Sequence, residues 1–150
     1  MRVRVRDALA VLSVAFGVPI LAWAEPIVGS IKNVKGASEV KRGGGSVAAR
    51  EGFHLQAHDV VVASADGQVG IILNDGTRIS IGPQTEISID RFTFEPGRGQ
   101  LDLVLRMVRG VMVYVSGKIA ELAPQAVRVE TPVGILGLRG TRVGVSLEQP

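Results

Sequence analysis

Residues 58–90 read HDVVVASADGQVGIILNDGTRISIGPQTEISID. Two Asp-Gly pairs, Asp66-Gly67 and Asp75-Gly76, bracket QVGIILN, which has the length of one short strand. Asp-Gly favours tight hairpin turns because both positions tolerate positive φ, so both pairs are expected to close hairpins. Beyond the second pair, Ile79, Ile81, Ile87 and Ile89 alternate with Ser80, Ser88 and Asp90. That is the period of a strand with one buried and one wet face.

The same phase continues in steps of eight from Ile71 through Ile79, Ile87, Glu95, Leu103, Val111, Ile119, Val127, Ile135 and Val143, and Glu95 alone is polar. Two readings account for it. Either strands joined by connections of even length keep one alternation phase, or short strands stack regularly, since self-similarity at a fixed step marks such stacks. A step of eight holds one strand and one turn. The fold expected is all-β, a single domain of short strands in a rolled or solenoid-like arrangement, with a β-sandwich as the alternative.

Composition narrows the chemistry. The 150 residues include no cysteine, which excludes disulfides, thiolate metal sites and a cysteine nucleophile. Aromatic residues are 4% of the chain, so the core is expected to be a thin aliphatic layer.

At the N-terminus three arginines precede an apolar run from Ala8 to Trp23, which closes on Ala22-Trp23-Ala24 before Glu25-Pro26. A basic start, an apolar middle and small residues at Ala22 and Ala24 are the parts of a secretory signal peptide, residues 1–24. The alternative is an uncleaved anchor in the inner membrane. The run is about 17 residues, the short limit for a bilayer span, and Pro19 interrupts it, so cleavage after Ala24 is expected. The product, residues 25–150, would be periplasmic or secreted, touching a membrane only if the leader stayed on. Cleavage removes Arg2, Arg4, Arg6 and Asp7, taking the formal charge from +3 to +1. The basic balance belongs largely to the leader, and no nucleic-acid partner is expected.

Elsewhere the chain reads as strands and loops. Ile27 to Arg42 holds two strands joined at Gly36, and Gly43-Gly44-Gly45-Ser46 permits a sharp bend. Leu101 to Leu105 and Val111 to Val115 are strands separated by Gly110, with Val111, Val113 and Val115 on one face. Ser116 to Gln125 is read as a loop, and no helix is expected outside the leader.

Three blocks carry a resemblance. The first holds Gly29-Ser30-Ile31, Val34, Gly36, Val40 and Arg42. The second runs from Asp59-Val60 through Asp66-Gly67, Asp75-Gly76-Thr77, Pro83 and Thr85 to Ile89. The third is Val129, Thr131-Pro132, Gly134 and Gly137-Leu138-Arg139-Gly140-Thr141. With these, the span from about Val28 to Leu147 resembles the FecR-type periplasmic domain. The resemblance implies a domain of regulators that sense an outer-membrane iron-siderophore transporter and signal across the inner membrane to a sigma factor. Only about seven residues precede the apolar leader, and the sequence stops at Pro150. A stand-alone interaction or sensing module is therefore expected, with an envelope protein or polymer as partner and transcriptional control at most indirect. The alternatives are a membrane-anchored signalling fragment acting through a separate partner and, further off, a carbohydrate-active hydrolase.

Few residues invite chemistry. His54 and His58 have helical zinc spacing but sit in strand and loop, so no metal is expected. Asp66, Asp75 and Asp90 would be candidate carboxylates for glycoside chemistry. Asp66 and Asp75 are accounted for as turn residues whose side chains bond the backbone two residues on, so no catalytic residue and no cofactor are assigned. The Arg42 to Ser46 loop lacks the lysine of a phosphate-binding loop. Arg139, between glycines and close to Thr141, could reach an anionic partner group bidentately. The competing reading pairs Arg139 with an internal carboxylate or carbonyls while the glycines permit a bend.

Overall fold

The computed structural model describes residues 25–148. The expected leader, with Ala22 and Ala24, lies outside the described residues. Twelve strands form: β1 (Ile27–Lys35), β2 (Ser38–Arg42), β3 (Gly45–Ala48), β4 (His54–Gln56), β5 (Val60–Ala63), β6 (Gln68–Leu73), β7 (Arg78–Ile81), β8 (Glu86–Glu95), β9 (Gln100–Val115), β10 (Val127–Thr131), β11 (Gly134–Gly137) and β12 (Arg142–Leu147). Neighbours run β3-β2-β5-β8-β9-β7-β6-β1-β4 in one continuous sheet that curls into an open half-barrel, the rolled all-β form expected from the alternation.

The 16-residue β9 joins the two halves. Its first part pairs with β8 and, in parallel, with β10; its last part pairs with β7 and β12. Between them the strand bends. Val108 and Arg109 form a bulge, because Ile87 pairs with Met107 while the preceding Glu86 pairs with Arg109. Gly110 follows at φ +98°, and a Cβ there would collide with the Thr85 side chain. The Thr85 hydroxyl, fully buried, takes the Val111 N–H at 2.9 Å and donates to the Val111 carbonyl at 3.1 Å, so one side chain pins the bend.

The bulge changes which face is buried. Leu103, Leu105 and Met107 point inward before it, and Met112 and Tyr114 after it. An inserted residue moves every later side chain to the other face. Val111, Val113 and Val115 do share a face, but that face is outward, with Val111 43% exposed. The step-of-eight pattern fails here for that reason.

The two Asp-Gly pairs have different fates. Asp75-Gly76 closes the β6–β7 hairpin, with Gly76 at φ +87°. Asp66-Gly67 closes none, contrary to expectation. β5 pairs with β2 and β8 while β6 pairs with β1 and β7, so this dipeptide turns the corner between the two halves. Gly67 is needed there for closeness, since a Cβ would lie 2.6 Å from the Ala37 carbonyl oxygen. Asp66 accepts from the Ser64 hydroxyl at 2.8 Å and the Ala37 N–H, which hold its carboxyl below the usual range.

The loop expected at Ser116 to Gln125 contains a short helix, α1 (Lys118–Leu122), followed by a 3₁₀ turn at Pro124–Ala126. A crossover returns the chain from the end of β9 to β10, which lies parallel to the beginning of β9, and such connections commonly coil. Ile119 is the one residue of α1 that is fully buried.

Candidate functional site

A cleft of about 800 Å³ opens beside α1. Ser116, Gly117, Ala120, Glu121 and the Pro124–Gln125 turn form one wall, and Leu138, Arg139, Gly140 and Thr141 form the other. The Ser116 N–H donates to the Thr141 carbonyl at 2.9 Å and ties the walls together at their base. Leu138 is buried in the core and anchors the second wall, leaving Arg139, Gly140 and Thr141 exposed.

The first wall is positioned by the β6–β7 hairpin. Asp75, buried to 3% exposure, accepts at one oxygen from the Thr77 N–H at 3.0 Å, the turn bond expected of an Asx residue. Its other oxygen accepts from the Thr77 hydroxyl at 2.8 Å and from the Ile119 N–H at 3.1 Å. The Asp75 carbonyl also takes the Lys118 N–H at 2.9 Å. Two of the unpaired donors in the first turn of α1 are thereby satisfied by a hairpin more than 40 residues earlier. Gly117 is required at the junction, because a Cβ would overlap the Thr77 backbone. Asp75-Gly76-Thr77 and Leu138 to Thr141 thus serve opposite walls of one cleft.

Beneath this junction sits Tyr114, fully buried, its hydroxyl without a hydrogen-bond partner among the described residues. Burial, reinforced by the negative charge of Asp75, pushes its pKa up to about 12, and the nearby Thr77 hydroxyl offsets only part of the rise. At the cleft surface, Glu121 is held by Lys118 at 3.0 Å. Among the described residues, no carboxylate lies within ion-pair distance of Arg139.

The other singled-out residues lie elsewhere. Thr131-Pro132 and Gly134 build the β10–β11 turn, where the Thr131 hydroxyl donates to the Gly134 carbonyl at 2.8 Å, and Gly137 ends β11. Asp90 accepts from the Ser88 hydroxyl and pairs with Arg106 at 2.9 Å, remote from Asp66 and Asp75 in role. His54 lies on β4, and His58 occupies a turn at φ +70°.

Sequence reasoning missed one assembly. Asp59, 1% exposed, receives Arg42 bidentately, Nε at 2.8 Å and Nη2 at 2.6 Å, and also takes the Gln56 N–H at 2.8 Å. Arg42 further donates to the His54 carbonyl at 3.0 Å and stands 5.2 Å from the centre of the Phe53 ring. The Asp59 bond is the main reason the guanidinium pKa is raised. Both residues were visible in the first two blocks, but nothing local joined them.

No curated protein and no solved structure matches the chain. Residues 59–150, from the buried Asp59 through both cleft walls, match the family described as FecR protein, which is associated with signalling that regulates sigma factors. That match covers more than half of the sequence, and the chain belongs to the FecR family.

Proposed function

We propose that this chain is a non-enzymatic interaction or sensing module of the bacterial periplasm, and that it captures an anionic group of an envelope protein or polymer at the cleft between α1 and Leu138–Thr141. The observation that carries the reading is Arg139, a guanidinium at the cleft rim with no carboxylate partner among the described residues. A guanidinium left unpaired there keeps its planar fork of donors for a carboxylate or phosphate. Thr141 adds a hydroxyl on the same wall. Family membership supports a role within a signalling pathway, with any effect on transcription passing through other proteins.

A photo-crosslinking amino acid at Thr141 tests the capture in cells. An adduct that forms on irradiation and disappears with Arg139→Ala, while the melting temperature holds, is the expected result. An adduct indifferent to Arg139→Ala, or none at all, overturns the reading. N-terminal sequencing of the envelope-extracted protein tests the location. A start at Glu25 supports export and cleavage, and an intact Met1 sinks the soluble form.

A further inference from the structure

We propose that β11 is a self-pairing edge, through which two copies of this chain join antiparallel about a two-fold axis centred on Ile135. Among the described residues β11 pairs only with β10, so its other edge is open. The strand and the turn before it are also apolar: Val133 in the turn is 88% exposed, and on the strand Ile135 is 67% and Leu136 41% exposed. Open edges usually carry charges, proline or a bulge that discourages pairing, and Gly134–Gly137 has none of these.

The backbone is ready for a partner strand. Thr131 pairs with Gly134 across a two-residue turn, Pro132-Val133, so that pair exchanges both hydrogen bonds with each other. Alternation then turns the N–H and C=O of Ile135 and Gly137 away from β10, toward the open side. An Ile135-centred register uses both groups of Ile135 and the N–H of Gly137, while the Val133 N–H that would face Gly137 is already given to the Thr131 hydroxyl at 3.3 Å.

The side chains select a second copy. A two-fold axis normal to the sheet through Ile135 pairs residue 135+n with residue 135−n of the second copy, so outward residues meet outward ones. Ile135, opposite the outward Glu130, meets Ile135 of the second copy. Val133 falls opposite Gly137 of that copy, and Leu136 falls opposite Gly134. Every remaining large side chain faces a glycine, and a Cβ at either glycine would meet nothing within 4 Å, so space is available on both faces.

Charge permits the pairing. β11 itself has no ionisable group, and the flanking Glu130 is engaged by Arg106 at 3.5 Å and Arg128 at 3.8 Å. The two Glu130 side chains would stand three strand spacings apart, about 14 Å, beyond a Debye length of roughly 8 Å. The uncharged edge at β3 lacks this apolar content, with Val47 its single large exposed side chain. Three apolar residues per copy bury too little for an obligate dimer, and interfaces below about 1,200 Å² associate transiently. A reversible dimer fits that size.

Sedimentation equilibrium of the full chain in mild detergent, from micromolar to near-millimolar concentration, tests this against Ile135→Lys and Val47→Lys. The expected result is a monomer–dimer equilibrium for the wild type and Val47→Lys, abolished in Ile135→Lys. Amide exchange provides a readout without substitution: the Ile135 N–H should slow at least several-fold as concentration rises, while that of Val47 stays constant. Equal masses for all three chains at every concentration, or concentration-independent exchange at Ile135, would overturn the proposal. Loss of capture at Arg139 would leave it standing, since the cleft and the edge share no residue.

Discussion

The Asp75 carboxylate takes the backbone N–H of Ile119 at 3.1 Å, so the hairpin turn of one motif caps the helix that walls the cleft of another. Its three hydrogen bonds are buried and charge-assisted, and such bonds are the costly ones to lose. Asp75→Ala should cost roughly 2–4 kcal/mol in urea unfolding, with Asp75→Asn intermediate. Arg139→Ala, which removes no ion pair among the described residues, should leave the unfolding midpoint in place. A midpoint for Asp75→Ala equal to wild type would show that α1 stands without its cap.

Gly76 and Gly110 both have positive φ, +87° and +98°, but only Gly110 is crowded. Gly76→Val should cost roughly 1–3 kcal/mol from backbone strain alone. Gly110→Ala adds a collision with Thr85 and should cost more than about 3 kcal/mol, because the bend of β9 must open. Chemical denaturation of the two variants checks the ranking, and a reversed order would remove Thr85 as the pin.

Tyr114 is the sole tyrosine of the chain, so tyrosinate absorbance reports on it alone. Its folded pKa of about 12 lies above the unfolded value near 10, so the folded state holds the proton more tightly. This contribution is fully present below about pH 10 and is lost as pH rises through 12, on the order of 2 kcal/mol in all. The absorbance midpoint should fall by about two units in denaturant. Tyr114→Phe, which deletes an unpaired hydroxyl, should be neutral or stabilising and should flatten the alkaline loss.

The Arg42–Asp59 pair is lopsided, with the Arg42 side chain 40% exposed and that of Asp59 1%. Removing the arginine strands a buried carboxylate, whereas removing the carboxylate frees a guanidinium to reach water. Arg42→Ala should therefore cost about 2–4 kcal/mol and Asp59→Ala less. Arg42→Lys should recover only part of the loss, because a point charge cannot reproduce the fork. Thermal melts at low and high salt should rank the variants identically.

Local chemistry made much of the fold legible. Ile79, Ile81, Ile87 and Ile89 announce their buried face by alternation, and Asp75-Gly76 announces its hairpin. The same dipeptide at Asp66-Gly67 misled, because turn chemistry is local while pairing depends on which strands lie alongside. The bulge at Val108–Arg109 stands beside Gly110, a glycine that reads equally well as a break between two strands, so the inward phase passes from Met107 to Met112 unseen. α1 is five residues, too short for a helical period to show. Of the cleft, Arg139 was visible as an arginine between glycines, but its opposite wall rests on a bond from Asp75 that no spacing reveals.

The position of β9 late in the chain has a consequence for how the molecule is made. Four strands, β7, β8, β10 and β12, depend on it, and two of them precede it. Any process that delivers the chain from its N-terminus, such as synthesis or threading through a pore, supplies β7 and β8 before residues 100–115 arrive to close them. Until then their edges are open, and long-range pairings of this kind form slowly. The nascent chain therefore carries these open edges until about three-quarters of it has emerged, and in that interval it is most vulnerable to aggregation and proteolysis.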